Sequence, residues 1–383
     1  MRGIEVRPVE GRRELEAFAK LPWALYQSDP AWVPPLLPEV YHHLDQKKNP
    51  WFEKAQAQLF VAWRGSKPVG RISAQIDEEH NRRFDEKTGF FGFFECENEP
   101  AIASALLDTA SSWCRAKGMN KVRGPFNFSI NHVSGLLIDG FSTPPYLEMG
   151  HNPAYYVPLV EANGFEKAMD LYAWYFDATK PPPELCVQIG DAVAQAPGLK
   201  VREVNMKNFE SDLRIIMSIF NEAWSRNWGF VPLSDAEIHK AAKELELIIN
   251  PKMALIAEVD GEPAAIAMTF PNLNEVLIKT RHYGPSKLGV ARTYAKLLWE
   301  LKVKKSVKSA RLMLLGVRPK FRGSILGGLS VHLYVESYRR GVDLGIREAE
   351  CGWTLATNDK INNGIRMMGG EVYKTYRVFE KAI

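Results

Sequence analysis

The residues best placed to do chemistry lie in one stretch, 312–328, which reads Leu-Met-Leu-Leu-Gly-Val-Arg-Pro-Lys-Phe-Arg-Gly-Ser-Ile-Leu-Gly-Gly. An apolar run suited to a buried strand gives way to a short basic turn, then to three glycines that run into a helical segment. Glycine lets the main chain approach a ligand closely, and a helix start leaves its first N–H groups unpaired and adds roughly half a positive charge. Such a turn can wrap a phosphate, with Arg318, Lys320 and Arg322 nearby. The alternative is a strand–turn–helix corner in which the glycines serve tight packing. It is not a Walker loop, because no Gly-Lys-Ser/Thr ends it, and the glycine spacing does not fit the dinucleotide fingerprint. Glu350 stands on an apolar segment whose alternation puts it opposite Ala349 and Cys351, where a carboxylate serves as a general base or faces solvent.

The elements that must position these groups occur twice. Ile4-Glu-Val-Arg7 and Leu199-Lys-Val-Arg202 each begin a half as a short strand, and each leads into a helical segment. A hairpin signal follows in both, with a polar, glycine-containing turn at Gly65 and at Gly261 between apolar strands. Val6 to Pro68 and Val201 to Pro263 span the same 62 positions. Late in each half an asparagine precedes a glycine turn, Asn152 before Gly164-Phe165 and Asn358 before Gly369-Gly370. Three echoes in one order predict a duplicated domain: residues 1–177, a stiff Pro181-Pro-Pro183 linker with a connecting helix over 178–198, and a second copy over 199–383. In the second copy the pattern predicts helices over 209–224, from Asp235, over 329–340 and from Asn358, and strands at 312 and 349–354. Mixed in this way they indicate an α/β (α+β) fold with a helix-covered mixed sheet.

Composition narrows the class. Hydrophobic residues at 46% and charged residues at 25% fit a soluble globular protein, and a net charge of +4 gives little support to nucleic-acid binding. The four cysteines form no C-x-x-C pair, so structural zinc is not expected. No run approaches the ~20 apolar residues of a membrane span. A cytoplasmic protein with no metal, no membrane partner and no nucleic-acid partner is the expectation, with the oligomeric state left open. The run Lys302, Lys304, Lys305, Lys308 and Arg311 reads as a solvated basic face. His132 and His151 have no partner at metal-ligand spacing and read as structural.

The strand ending at Gly316-Val317, followed by Pro319, Arg322-Gly323 and Gly327, resembles the coenzyme-A motif Arg/Gln-x-x-Gly-x-Gly/Ala of the GNAT (Gcn5-related N-acetyltransferase) superfamily. Asn358 with Gly369-Gly370 is similar to its Asn-led helix and glycine turn. The resemblance implies two tandem GNAT-like domains over nearly the whole chain, and within that superfamily a bacterial group marked by Asn-Trp-Gly-Phe-Val-Pro (227–232) and Tyr-Lys-Thr-Tyr-Arg (373–377). It further implies an N-acyltransferase moving an acyl group from acetyl-CoA or another acyl-CoA to a small amine or amino-acid-like acceptor. Main-chain groups of Leu315, Gly316 and Val317 would hold the pantetheine arm at a splay between strands. The N–H groups of Arg322, Gly323, Ser324, Ile325, Leu326, Gly327 and Gly328 would hold the pyrophosphate, with Asn358 near the thiol. Trp224, Asn227 and Trp228 would cover the acceptor, with core packing the alternative for the two tryptophans, and Tyr155 and Tyr156 either line a substrate groove or serve aromatic packing of the duplicated scaffold. Two residues depart from the pattern: Ile325 where the motif has its first glycine, and Ile365 where many members carry a thiolate-protonating tyrosine. These departures favour, as an alternative, a non-catalytic ligand-binding protein on the same scaffold; an aminoacyl or peptidyl transferase is a third reading, since tandem copies of this fold also serve tRNA-linked donors. The first half has an acidic segment, residues 91–100, in the motif's place and is expected to hold no coenzyme.

Overall fold

A computed structural model describes residues 3–383, apart from the side chains of Ser324 and Ile325. The sequence reading placed on those two side chains therefore lies outside the described residues. The chain begins with β1 (Ile4–Pro8), α1 (Arg12–Leu25), α2 (Leu37–Leu44), β2 (Ala55–Arg64) and β3 (Lys67–Asp77). There follow α3 (Glu78–Phe84), β4 (Thr88–Cys96), α4 (Pro100–Ala116), β5 (Lys121–Gly124), β6 (Leu136–Asp139), α5 (Tyr156–Glu161) and β7 (Glu166–Asp177). The second half runs α6 (Glu184–Ala194), β8 (Leu199–Glu203), α7 (Phe209–Trp224), α8 (Asp235–Leu245), β9 (Ala254–Val259), β10 (Glu262–Pro271), α9 (Asn274–Leu277) and α10 (Lys287–Leu298). It closes with β11 (Ser309–Val317), α11 (Leu329–Asp343), β12 (Glu348–Leu355), α12 (Asp359–Met367) and β13 (Glu371–Ala382).

The chain forms two compact units that do not follow the sequence halves. One holds the residues up to Leu171 together with Asn274–Lys305 and Lys374–Ile383; the other holds Tyr172–Leu273 and Ser306–Tyr373. The final strand from Lys374 onward thus completes the first unit, the end of β7 belongs to the second, and the segment between β10 and β11 is part of the first. The helix expected in the linker, α6, is part of the second unit, where it packs on α11 with Cys186, Gly190 and Val193 buried.

In the first unit β1, β2, β3 and β4 pair antiparallel in succession, β5 joins β4 in parallel, and β13 pairs antiparallel with both β5 and β6. Its core gathers Val69, Ile72, Phe91, Phe94, Leu106 and Phe379 between sheet and α4. In the second unit β8, β9, β10 and β11 pair antiparallel, and β12 joins β11 in parallel. Its core holds Trp174, Leu255, Ala265, Leu312, Leu333, Cys351 and Ile365. Strands buried on both faces explain why β9, β10 and β11 read as near-continuous apolar runs. Capping is explicit at α8, where Ser234 and Glu237 close a reciprocal capping box.

Candidate active site

In the second unit β11 and β12 begin side by side and then part. Their parallel pairing covers Ser309↔Glu348 to Leu312↔Cys351 and goes no further. On the other side β11 stays paired with β10 as far as Ala265↔Val317, with an irregularity that leaves Met313 opposite no residue of β10. A one-residue bulge bends its strand and re-aims the groups beyond it. Residues 314–317 are thus held by β10, while the edge of 313–317 toward β12 has no ladder partner there. This is the splay that the sequence resemblance implied around Leu315, Gly316 and Val317.

The point of divergence is tied by charge. Arg311 and Glu350 are register neighbours, 4% and 0% exposed. The Arg311 Nε lies 2.9 Å from Glu350 Oε1, and Arg311 Nη2 donates to the Gly352 carbonyl at 2.8 Å. Tyr373 donates its hydroxyl to the second carboxylate oxygen. Glu350 is therefore neither a solvent-facing strand carboxylate nor an open base, because both its oxygens are held inside the fold. Arg311 leaves the basic face assigned to it, since its guanidinium is consumed within the sheet. Cys351 is also inert: burial pushes its thiol up to about 11, and it contacts the Tyr334 hydroxyl at 3.5 Å.

The glycine-bearing turn folds as two short 3₁₀ turns, Pro319–Phe321 and Ser324–Gly328, and passes directly into α11. Some of the expected donors are already used: the Arg322 N–H bonds the Pro319 carbonyl at 3.2 Å. Two of the three cations are also engaged. Arg318 pairs with Glu222 and donates to Ser218 at 3.0 Å, and Lys320 pairs with Glu262. Arg322 differs, because among the described residues its guanidinium meets only carbonyls, Val317 at 2.9 Å and Ala223 at 3.4 Å. The glycines divide in the same way. A Cβ at Gly328 would stand 2.9 Å from Val193 and 3.0 Å from Ile189, so packing on α6 requires that glycine. At Gly323 a Cβ would meet nothing within 4 Å among the described residues and φ is −104°, so neither their packing nor backbone geometry demands a glycine. Gly328 precedes α11 without any side-chain cap; the Leu329 N–H already bonds the Leu326 carbonyl, so only the amides that follow it in the first turn are left for a ligand.

Trp224 covers this strand: a Cβ at Gly316 would lie 2.4 Å from its ring, so the glycine is what lets the indole lie on β11. Phe220 packs against both Trp224 and Phe230, with centroids 4.9 and 5.5 Å apart. Asn227 turns the chain there, its N–H bonding Trp224 and its carbonyl accepting from Phe230; Trp228 is half-buried beside it. Asn358 is the N-cap of α12, its side chain accepting from the Ile361 N–H at 3.4 Å. Ile365 is 1% exposed and belongs to the core, so no hydroxyl stands at that position.

The first unit repeats the splay and fills it. β4 and β5 pair only from Thr88↔Lys121 to Phe90↔Arg123, and β4 carries its own irregularity between Gly92 and Glu95. Residues 125–135 enter the gap. Phe126 donates to the Phe91 carbonyl at 2.8 Å, and Asn127 Oδ1 accepts from the Phe93 N–H at 2.8 Å. Gln75 donates to the Phe126 and Phe128 carbonyls, both at 2.9 Å. A Cβ at Gly92 would fall 1.8 Å from the Phe126 oxygen, which shows how closely the loop lies on the strand. Sequence reasoning missed this plug, though the polar Asn127-Phe-Ser-Ile-Asn131 stretch was its signal.

Tyr156 is wholly buried, so its ring lines no open groove. Its hydroxyl donates to Glu95 at 2.7 Å, and Tyr26 donates to the same oxygen at 2.6 Å. Burial raises the Glu95 carboxyl above its ordinary range, while buried Arg71, 3.5 Å away, opposes the rise. Tyr155 is half-buried and its hydroxyl bonds the Cys96 carbonyl at 2.8 Å. His151 pairs with Asp29 at 2.8 Å, and His132 Nδ1 accepts from the Ser129 N–H.

The 373–377 motif is equally absorbed into the fold. Lys374 is completely buried, donating to the Gly140 carbonyl and to Thr143 at 2.7 Å. Tyr376 donates to Gly150 at 3.0 Å and Arg377 Nε to Asp170 at 2.8 Å.

No family model matches the chain. Among solved structures it resembles a tandem GNAT protein from the clavulanic acid biosynthesis pathway, with TM-score 0.57, 12% identity, and 99% of this chain and 98% of that one covered. A GCN5-related N-acetyltransferase from Sphaerobacter thermophilus gives TM-score 0.53 at 15% identity, over 99% and 95% of the two chains. At such identities the likeness concerns the fold, which is that of a tandem GNAT protein. The curated relatives reach further. Protein YghO of Escherichia coli strain K12 is 37% identical, covering 99% of this chain and 95% of its own. The bacterial ceramide synthase of Caulobacter vibrioides is 40% identical over 382 residues, 99% of this chain and 98% of its own. With that identity sustained from end to end on a tandem GNAT fold, the chain belongs to the family of bacterial ceramide synthase and YghO.

Proposed function

We propose that the protein is an acyl-CoA-dependent N-acyltransferase whose donor lies in the second unit, along the free edge of residues 313–317. The observation that carries this reading is the difference between two like splays. One is filled by its own chain, and the other keeps a strand edge without a ladder partner among the described residues, leading to a helix start that no side chain caps. Coenzyme A fits such a site, since a pantetheine arm carries amide groups that can complete a strand edge, and a pyrophosphate suits bare helix amides. Gly323, which the fold does not need, stands where a ligand requires close approach. Arg322 is the cation that bonds no carboxylate there among the described residues.

The reaction is attack of the acceptor nitrogen on the thioester carbon. A C–N bond forms, the C–S bond breaks, and the amine proton passes to the departing thiolate. Backbone N–H groups at the Met313 bulge polarise the carbonyl, and holding both reactants supplies most of the rate. Glu350 contributes as a positioning group: it pairs with Arg311 and accepts from the Tyr373 hydroxyl, fixing the point where β11 and β12 part. Ceramide is an N-acylated long-chain amino alcohol, and the relative named for its synthesis favours a long-chain amine as acceptor and a fatty acyl-CoA as donor.

The test incubates the full chain with sphinganine and either acetyl-CoA or palmitoyl-CoA, following amide by mass spectrometry and free thiol by colour. Palmitoyl-CoA should yield one amide per thiol released. Calorimetric binding of coenzyme A without any turnover would favour the ligand-binding alternative, and no binding at all would remove the donor site.

A further inference from the structure

We infer that the helix running through α10 and the π-helical turn Trp299–Lys304 docks the protein on an anionic lipid surface. Ser286 starts it by accepting from the Gly289 N–H at 3.0 Å. Its inner side is fixed within the first unit: Leu297 is buried, and Tyr294 reaches Glu39 at 3.3 Å. Its outer side is apolar. Leu288, Leu298, Trp299 and Val303 are 61%, 58%, 55% and 60% exposed, and at helical spacing they share one stripe with exposed Ala291 and Ala295. No comparable run of exposed large apolar residues occurs elsewhere among the described residues; the others are scattered.

The charge beside the stripe has one sign. Lys287, Arg292, Lys302, Lys304 and Lys305 are all exposed along it. Glu300, the one acid of the helix, is 1% exposed and turned inward to Lys296 at 2.8 Å and Lys304 at 3.5 Å. Segment 274–305 holds eight lysines and arginines against Glu275 and Glu300, a formal +6 in a chain whose whole is +4. An apolar face with a tryptophan, flanked by cations and carrying no exposed acid of its own, is the composition of an interfacial helix; the neighbouring acid, Glu39, is bonded by Tyr294. A second copy on this face would bring like charges together, and a nucleic acid would leave Leu288, Leu298 and Val303 without a role. The sequence expectation of no membrane partner rested on the lack of a spanning segment, and no helix of the described residues is long and apolar enough to cross; a helix lying in the interface escapes that criterion. The inference is independent of the proposed reaction.

The test is sedimentation of the full chain with vesicles of phosphatidylethanolamine and phosphatidylglycerol, against vesicles of phosphatidylcholine alone. Binding should be at least tenfold stronger to the anionic vesicles and should fall with added salt. Leu298→Ser with Trp299→Ser should weaken it at least tenfold, and Arg292→Gln with Lys302→Gln and Lys305→Gln about as much, with melting temperatures unchanged. Equal binding to both vesicle types, or binding indifferent to both variants, would overturn the inference. So would a dimer in solution that the Leu298/Trp299 variant splits, which would assign the stripe to a second copy.

Discussion

Gly323→Glu separates the needs of a ligand from those of the fold. The substituted Cβ meets nothing within 4 Å and the backbone there is extended, with φ −104°. An acid at the start of a helical turn is, if anything, mildly favourable. The melting temperature should therefore stay within about 2 °C of the parent, or rise. Binding should respond in the opposite direction. Two phosphate charges about 6 Å from the new carboxylate, at an effective dielectric of ~40, cost about 3 kcal/mol. That corresponds to roughly 100-fold in Kd for coenzyme A. Gly323→Gln has the same length without the charge and should lose less than about fivefold. Isothermal titration of the three proteins with coenzyme A at low and at moderate salt gives the answer, since the penalty of the glutamate should shrink as salt rises. Equal affinities for the Glu and Gln variants would refute the argument, because the pyrophosphate would then lie elsewhere.

Arg311→Met strands Glu350 in the interior and should cost about 3–5 kcal/mol by urea unfolding, whereas pairing it with Glu350→Gln should recover most of that loss. Asn127→Ala removes the acceptor of the Phe93 N–H and should cost about 1–3 kcal/mol, while coenzyme A titration remains as in the parent. His80 is pushed down to about 4 by burial. Because the folded value lies below the unfolded one, the stability it brings is complete above about pH 6.5 and lost as pH falls toward 4. That amounts to about 3 kcal/mol in all, and His80→Gln should flatten the decline seen in unfolding curves over that range.

The duplication was legible because local features carry it. Each hairpin announces itself by apolar runs about a glycine turn, and each copy keeps its spacing. Helix starts were legible for the same reason: α7 occupies the expected 209–224, and Asn358 caps α12. Long-range pairing was not legible. Nothing in residues 374–383 says that this strand completes the first unit, because a strand's partner is set by sheet geometry rather than by its own residues. Glu350 shows the same limit at one side chain. Its alternation was readable, but its ion partner lies 39 positions earlier and meets it only through the parallel register of β11 and β12. The bulge at Met313 leaves no local mark either, since any apolar residue can be the extra one.

Filling a splay takes particular polar groups, which explains why one copy did so and the other stayed open. The loop that enters the first splay brings carbonyls of Phe126 and Phe128 and the side chain of Asn127 into a dry sheet. Buried polar groups there must be satisfied or cost several kcal/mol. Gln75, fully buried, satisfies both carbonyls, and the Phe93 N–H answers Asn127. Pro68 and Pro263 set an offset of 195, which places Phe270 at the Gln75 position of the second copy. A phenylalanine can donate to no carbonyl, so a loop lying in the second splay would leave its own peptide groups unpaired. The open edge of β11 is thus held open by composition: the groups that could close it from within are absent, and a ligand that brings its own amides is what can pair with it.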